Sequence, residues 1–293
     1  MASSSSSSGS PAGYAVGIDE AGRGPVLGPL VYGAAYCPVD RQAQLADLGV
    51  ADSKTLTADD RERLLAAIDA CAFLRYELDA IPSATISALM LRRRKYNLNL
   101  ISHDSAVGLV RRIMASGVAV AEIYVDTVGD PDKYERKLSA LFPQAKCVVR
   151  KKADSLFPIV SAASICAKTA RDRLLSEWSF KEEGAGDALP FSRAFGSGYP
   201  SDPATKQWLV DHCDRVFGFP DLVRFSWQTT KTILEQRCVS VAWPDDDDDG
   251  NGQKENRKRT ITSFFGSAAA PPAAPTRHHY FTRRRMKLLE ASH

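Results

Sequence analysis

The sequence lacks the features that mark several classes of protein. Its six cysteines form no C-x-x-C pair and show no metal-ligand spacing, which argues against a zinc site or a disulfide framework. No apolar stretch is long enough to span a bilayer, and no hydrophobic leader opens the chain. The formal net charge of the 293 residues is only +3, too small to indicate a nucleic-acid partner by itself. We therefore expect an intracellular protein with reduced thiols and no membrane partner.

Two low-complexity ends flank an interior of ordinary composition, 44% hydrophobic and 25% charged over the whole chain. Residues 1–13 are rich in serine, and residues 244–293 combine an aspartate run, an alanine–proline stretch and a basic end. Neither end can bury a core, so both are predicted to be disordered. The interior is predicted to hold an α/β domain over residues 14–180 and a small helical extension over residues 181–243.

Strand-like and helix-like patterns alternate through the interior. "YAVGI" and "LVYGAAYC" predict a hairpin-like pair of strands, and further strands are predicted at 73–81, 120–126 and 145–151. Thr57, with Asp60 three residues later, predicts a capped helix start, and other helices are predicted at 83–93, 98–115, 131–142, 155–178, 202–213 and 226–238. This alternation predicts a sheet covered by helices on both faces.

Carboxylates stand where predicted strands end. Asp19 ends the first strand, Asp126 ends a central one, and Asp154 lies between a strand and the long predicted helix. In open α/β sheets, sites gather at strand ends. Each acid taken singly is also explained as a turn residue, and Asp154 as the N-cap of a helix that begins at Ser155.

The adjacent pair Asp19 and Glu20 strengthens the case for a site. Neighbouring strand residues point to opposite faces, so we expect the backbone to turn at this pair, where "AGRG" supplies two permissive glycines. Four clustered carboxylates repel one another unless cations are present, and oxygen ligands suit Mg²⁺ or Mn²⁺. Two such ions, about 3.5–4 Å apart, would hold a scissile phosphate. We predict such a site at Asp19, Glu20, Asp126 and Asp154.

Basic segments supply candidate phosphate ligands. "DSKTL" places Ser53, Lys54 and Thr55 in a loop that precedes a helix. "LRRRKYN" (91–97) and "VRKKAD" (149–154) add further cations. Any one of these runs is also explained as a solvated charged surface. Together with four carboxylates they favour a phosphodiester substrate.

Several long blocks resemble one known family. "GIDEAGRGPVLGPLV", "DSKTL", "YVDTVGD", "KADSLFPIVSAASICAKTARD" and "GSGYPSDP" are similar, in this order, to the signature blocks of type 2 ribonucleases H, and "FGFPDLVRFSW" resembles their eukaryotic catalytic subunits. The resemblance spans roughly residues 14–240. It implies a ribonuclease H-like mixed sheet flanked by helices, with a C-terminal helical extension, and Asp19, Glu20, Asp126 and Asp154 as the ligands of Mg²⁺ or Mn²⁺.

The resemblance also implies an activity and partners. Such an enzyme hydrolyses the RNA strand of RNA–DNA hybrids and nicks duplex DNA 5′ of a single ribonucleotide, leaving 3′-hydroxyl and 5′-phosphate ends. Eukaryotic relatives act with two accessory subunits. The loop formed by Gly22, Arg23 and Gly24 would read the ribose 2′-hydroxyl, the group that distinguishes RNA from DNA. Tyr199 would pack on the sugar at the RNA–DNA junction, and without the resemblance it reads as a turn tyrosine.

Other residues of these blocks have two interpretations. Lys54 and its neighbours would hold backbone phosphates. Lys168 and Arg171, three residues apart on a helix, either face the duplex together or act as surface charges. The small residues of 161–167 favour close packing of helix on sheet over a chemical role, and His103 is better explained as a packed histidine than as a general base.

The C-terminal tail contains a short motif. Ile261, Phe264 and Phe265 resemble the anchors of peptides that dock on the replication sliding clamp, although Lys258 replaces the expected glutamine. A chance aromatic pair is the alternative. "KENRKR" (254–259) indicates nuclear import, with nonspecific attraction to nucleic acid as its rival. We expect a nuclear protein, with the cytoplasm as the alternative.

Two rival functions remain. A four-carboxylate 3′–5′ exonuclease usually spaces its first two acids as D-x-E, whereas here they adjoin. A hybrid-binding scaffold without catalysis is disfavoured because all four acids are present.

Overall fold

The computed structural model describes residues 13–50, 56–94, 96–180 and 191–240. The interpretations of Ser53, Lys54 and Thr55, of both tails and of the clamp-like motif fall outside these residues, and the division between residues 180 and 181 stays a prediction. Within the described ranges, every helix is too short or too polar to cross a bilayer.

The core is a five-stranded mixed sheet in the order β3-β2-β1-β4-β5. Strands β1, β2 and β3 form an antiparallel meander, and β4 and β5 run parallel to β1. The strands are β1 Tyr14–Ala21, β2 Leu30–Pro38, β3 Arg75–Ile81, β4 Val120–Asp126 and β5 Lys146–Arg150. The helices are α1 Ala58–Ala70, α2 Ser83–Met90, α3 Leu98–Ala115, α4 Pro131–Leu141, α5 Ala153–Leu156, α6 Pro158–Ser176, α7 Pro203–Asp211 and α8 Gln228–Arg237. A 3₁₀ segment, Val39–Leu48, was not anticipated from the sequence.

Helices cover both faces of the sheet, as predicted. One apolar cluster joins the sheet to α3 and α4, and a second joins it to α1 and α6. Helix α6 approaches β1 closely, because a Cβ on Gly17 would lie 2.4 Å from the carbonyl carbon of Ile159. The small residues of 161–167 are buried or nearly so against the sheet, which confirms their predicted packing role.

Helix α1 begins where the sequence predicts. The Asp60 N–H donates to Thr57 Oγ1 at 3.2 Å, and the Thr57 N–H donates to Asp60 Oδ2 at 3.2 Å. This reciprocal capping box satisfies two helix-end donors and contributes about 1 kcal/mol of stability.

The long helix predicted at 155–178 is wrong in one respect, because it is two helices. Phe157 adopts an extended conformation (φ −127°, ψ 112°) between α5 and α6. The residue before a proline is pushed away from helical angles, and Pro158 opens α6. Asp154 lies inside α5 and is not its N-cap, a position held by Lys152 with φ 56°.

Candidate active site

The candidate site forms where β1 extends beyond β4. Their ladder ends at Ile18 opposite the residue before Asp126, while the pairing of β1 with β2 continues through Ala21. Asp19 and Glu20 therefore lie in regular strand, and the predicted turn at this pair is wrong. Their side chains leave opposite faces of β1, yet the charges of both interact with Asp126 because β4 stops short of them.

A turn after β5 brings Asp154 to the end of β4. Asp126 Oδ1 accepts the N–H of Thr127 at 2.9 Å and that of Ala153 at 3.3 Å, which ties the end of β4 to the start of α5. Lys152 takes the left-handed conformation immediately before α5, an uncommon and mildly strained state for a lysine. Asp154, two residues further on, is only 3% exposed.

The buried acids raise one another's pKa. Burial is the main cause that raises the pKa of Asp19 to about 7; a hydrogen bond from Ser164 opposes it, and the charges of Asp126 and Asp154 add to it. Burial and then the charge of Asp19 raise the pKa of Glu20 to about 8. The site thus concentrates negative charge at a cost in free energy, which a cation would offset.

The donor set suits a divalent cation in its chemistry. Carboxylate oxygens are the ligands that Mg²⁺ and Mn²⁺ prefer. Among the described residues, no three acidic, histidine or cysteine side chains are grouped closely enough to hold an ion in their present rotamers. The residue types therefore fit a metal, and binding requires the carboxylates to draw closer together.

The loop after β1 brings Arg23 beside the acids. Gly22 has φ 82°, and a Cβ there would lie 2.5 Å from Arg171 Nε and 2.6 Å from the Pro29 carbonyl oxygen. Only glycine fits such a position without strain. The Arg23 guanidinium donates to Ser102 Oγ at 2.6 Å and to Asn99 Oδ1, both on α3, and its charge lowers the pKa of Glu20.

Arg224 supports this loop from below and was missed by sequence reasoning. It is fully buried, and its guanidinium donates to the carbonyl oxygens of Gly22 at 2.6 Å, Arg23 at 3.2 Å and Gly28 at 2.9 Å. Its segment, "VRFSW", lies in a block that resembles the family, but nothing in the sequence shows that a residue 200 positions away holds the loop. A buried arginine with three carbonyl partners fixes the loop's path.

Two aromatic residues flank Gly24. The Trp227 indole N–H donates to the Gly24 carbonyl oxygen at 3.0 Å, and the Trp227 ring packs against the guanidinium of Arg224 at 4.8 Å. On the other side, the Tyr199 ring would be 3.2 Å from a Cβ on Gly24. Tyr199 is 46% exposed, so the structure places a largely open aromatic ring beside the loop.

These residues border an open cleft of about 470 Å³. Its lining includes Glu20, the loop of residues 22–24, Lys168 and Tyr199. Arg171 also borders it, but this side chain is only 7% exposed and packs under Gly22. The structure therefore gives Arg171 a supporting position and leaves Lys168 as the more accessible cation of the pair.

His103 packs in the way the sequence favours. Its ring stacks on Tyr134 with centroids 3.8 Å apart, and its Nε2 lies 3.4 Å from the Val128 carbonyl oxygen. Burial lowers the pKa of His103, which favours the neutral ring of a packed histidine.

An acidic cluster at strand ends, beside a cleft with cationic and aromatic side chains, defines a class of hydrolytic nucleases. A model of the ribonuclease HII family matches residues 16–230. The A-type subunit of ribonuclease H2 from Arabidopsis thaliana is 57% identical over 228 residues, covering 78% of this chain and 75% of that protein. Its Homo sapiens counterpart is 50% identical over 230 residues, covering 78% and 76%.

Solved structures agree with these relatives. Ribonuclease H2 from Pyrococcus horikoshii OT3 is similar with a TM-score of 0.62 and 34% identity, covering 76% of this chain and 98% of that one. The structure of the PCNA:RNase HII complex from Archaeoglobus fulgidus gives a TM-score of 0.61 and 31% identity, covering 75% and 96%. The chain belongs to the ribonuclease HII family, whose members are hydrolytic endoribonucleases.

Proposed function

We propose that this protein hydrolyses the RNA strand of RNA–DNA hybrids and nicks duplex DNA on the 5′ side of a single ribonucleotide. One observation carries the proposal: the carboxylate cluster opens onto a cleft that also holds the residue 22–24 loop and the exposed ring of Tyr199. A scissile phosphate at the acids would therefore have its neighbouring sugar beside that loop.

Asp19, Glu20, Asp126 and Asp154 would hold two Mg²⁺ or Mn²⁺ ions. When bound, such ions lower the pKa of a water nucleophile and stabilise the leaving oxygen, which gives 3′-hydroxyl and 5′-phosphate ends. The protein's part is to bring the acids together across the ends of β1, β4 and α5, with Arg23 partly offsetting their charge.

The loop can read a ribose hydroxyl through its backbone. The carbonyl oxygens of Gly22 and Arg23 point inward to Arg224. In a planar trans peptide the N–H points opposite to the carbonyl, so the N–H groups of Arg23 and Gly24 point away from Arg224. Two donors with this fixed aim suit an oxygen acceptor such as a 2′-hydroxyl.

Tyr199 and Lys168 would position the substrate on either side of that loop. The Tyr199 ring offers a flat apolar surface for a sugar, and Lys168 offers a cation for a backbone phosphate. Neither role requires base recognition, which suits an enzyme that distinguishes sugars and not sequences.

The test is to map cleavage of three matched duplexes in magnesium: one with a single ribonucleotide, one with four, and one of DNA alone. The chain is assayed by itself and with its accessory subunits. We expect a single internal nick 5′ of the lone ribonucleotide and no cut in the DNA duplex. Stepwise shortening from a 3′ end would instead indicate an exonuclease, and binding without a cut would indicate a scaffold.

We further propose that the protein acts with two accessory subunits. The support is its identity to proteins whose names make them one lettered component of ribonuclease H2, which implies an assembly of several different chains. Co-expression with both companions should give one complex on gel filtration with higher cleavage activity than the chain alone.

Clamp docking and nuclear import are proposals for the tail. Ile261, Phe264 and Phe265 supply the docking pattern, and an archaeal relative has been solved in a complex with PCNA. Replacing Phe264 and Phe265 by alanine should abolish clamp capture by the full chain without changing cleavage. Removing the charges of 254–259 should abolish nuclear accumulation of a fluorescent fusion.

A further inference from the structure

Two cysteines of the C-terminal helical region lie in contact. The Sγ atoms of Cys213 and Cys238 are 3.6 Å apart, although the residues are 25 positions apart in sequence. Both thiols are partly exposed, whereas Cys37, Cys71, Cys147 and Cys166 are buried. Nothing in the proposed hydrolysis uses this pair.

The backbone around the pair is fixed on both sides. The Val239 N–H donates to the Arg215 carbonyl oxygen at 2.8 Å, which holds the two cysteine-bearing segments side by side. The Asp214 carboxylate accepts the N–H groups of Val216 and Phe217 at 2.7 and 2.9 Å. The Cys238 thiol also lies 3.3 Å from the Asp214 carbonyl oxygen.

We propose that Cys213 and Cys238 form a reversible disulfide when a hydroperoxide oxidises the protein. Bond formation requires the sulfurs to approach by about 1.5 Å, to a length near 2.05 Å, which side-chain rotation can supply. In a reducing compartment the pair stays as two thiols, and the bond forms only under oxidant.

The chemistry assigns different roles to the two thiols. The hydrogen bond from Cys213, and more weakly the charge of Arg215, lower the pKa of Cys238, while the same hydrogen bond raises the pKa of Cys213. The Cys238 thiolate attacks one oxygen of hydrogen peroxide, breaking the O–O bond and giving a sulfenic acid and hydroxide. The Cys213 sulfur then attacks Cys238 Sγ, the S–O bond breaks, and the two thiol protons end in the two water molecules formed.

The bond would enclose the segment that holds the substrate-reading loop. Arg224 and Trp227, which bind the carbonyl oxygens of residues 22–24, lie between the two cysteines. Closing this segment removes conformational freedom from the unfolded chain, so the oxidised protein should melt roughly 5–10 °C higher than the reduced one. Cleavage at 25 °C should change less than twofold, because the reduced structure already has this geometry.

The test treats the full chain with hydrogen peroxide, alkylates free thiols and maps peptides by mass spectrometry without reductant. We expect a linked Cys213–Cys238 peptide that dithiothreitol separates, together with the rise in melting temperature. Cys213→Ser and Cys238→Ser should each abolish both effects, and the buried-thiol control Cys147→Ser should keep them. Separate sulfinic acids without a linked peptide, or a rise in melting temperature that persists in Cys213→Ser, would overturn the proposal.

Discussion

A methyl group on Gly22 tests whether the loop geometry controls catalysis. In Gly22→Ala the new Cβ would meet Arg171 Nε at 2.5 Å and the Pro29 carbonyl oxygen at 2.6 Å, in a backbone state of φ 82°. Gly49→Ala is a matched control, because Gly49 has a similar φ of 71° but no atom within 4 Å of its Cβ position. The two variants share the backbone strain and differ in the steric contact.

The magnitudes separate these two effects. A left-handed residue with a Cβ costs roughly 1–2 kcal/mol of unfolding free energy, and both variants should lose that amount. In Gly22→Ala the contact also displaces the residue 22–24 loop or Arg171, and a displacement of about 1 Å in a substrate-positioning group costs on the order of 100-fold in kcat/KM. The control should keep kcat/KM within about twofold, because its site is untouched.

The assay measures kcat/KM on the single-ribonucleotide duplex, beside thermal unfolding of both variants. A Gly22→Ala enzyme with normal kcat/KM would show that the loop path does not govern catalysis. An equal loss of kcat/KM in Gly49→Ala would show that global strain, and not the contact at Gly22, is responsible.

Three further predictions follow from other contacts. Arg224→Lys removes hydrogen bonds to the loop carbonyls and should cost about 3 kcal/mol of unfolding free energy together with most of kcat/KM, whereas the exposed control Arg237→Lys should be near neutral in denaturant titration and cleavage assays. Tyr199→Ala should lower kcat/KM at least tenfold for the single-ribonucleotide duplex with little change in melting temperature, and Tyr199→Phe should restore it; a silent alanine variant would remove the sugar-packing role. The raised pKa values of Asp19 and Glu20 mean that the folded metal-free chain binds more protons than the unfolded chain between about pH 4 and pH 8, so its stability should fall across that window by a few kcal/mol, on the order of 1.4 kcal/mol per unit of pKa shift. Asp19→Asn should flatten this profile in guanidinium titrations, and a profile that rises with pH would contradict the electrostatic account.

Local signals predicted local structure well. The capping box at Thr57 and the alternating patterns of β1, β2 and β4 required no knowledge of the rest of the chain. The break at Phe157 was also present locally, since a residue before proline resists helical angles, but the apolar run through 155–178 outweighed it in the sequence analysis. The sequence therefore contained that signal, and its weight was misjudged.

Tertiary features could not be predicted in the same way. Asp19 and Glu20 remain in strand because β2 extends beyond β4, which depends on the lengths of two partners and not on the glycines that follow. Arg224 reaches the residue 22–24 loop from the other end of the chain. The acids of the site were identifiable from residue types, whereas the side chains that hold the loop needed the fold.

The central claim is that the acids at the ends of β1, β4 and α5 form the catalytic centre. The most direct test compares Asp126→Asn with Asp132→Asn, an exposed acid in the first turn of α4, as full chains with their companions on the single-ribonucleotide duplex. We predict a loss of at least 1,000-fold, on the order of 4 kcal/mol in transition-state free energy, for Asp126→Asn and normal cleavage for the control. Cleavage by Asp126→Asn at the wild-type rate, from a folded protein that still binds the duplex, would contradict the account.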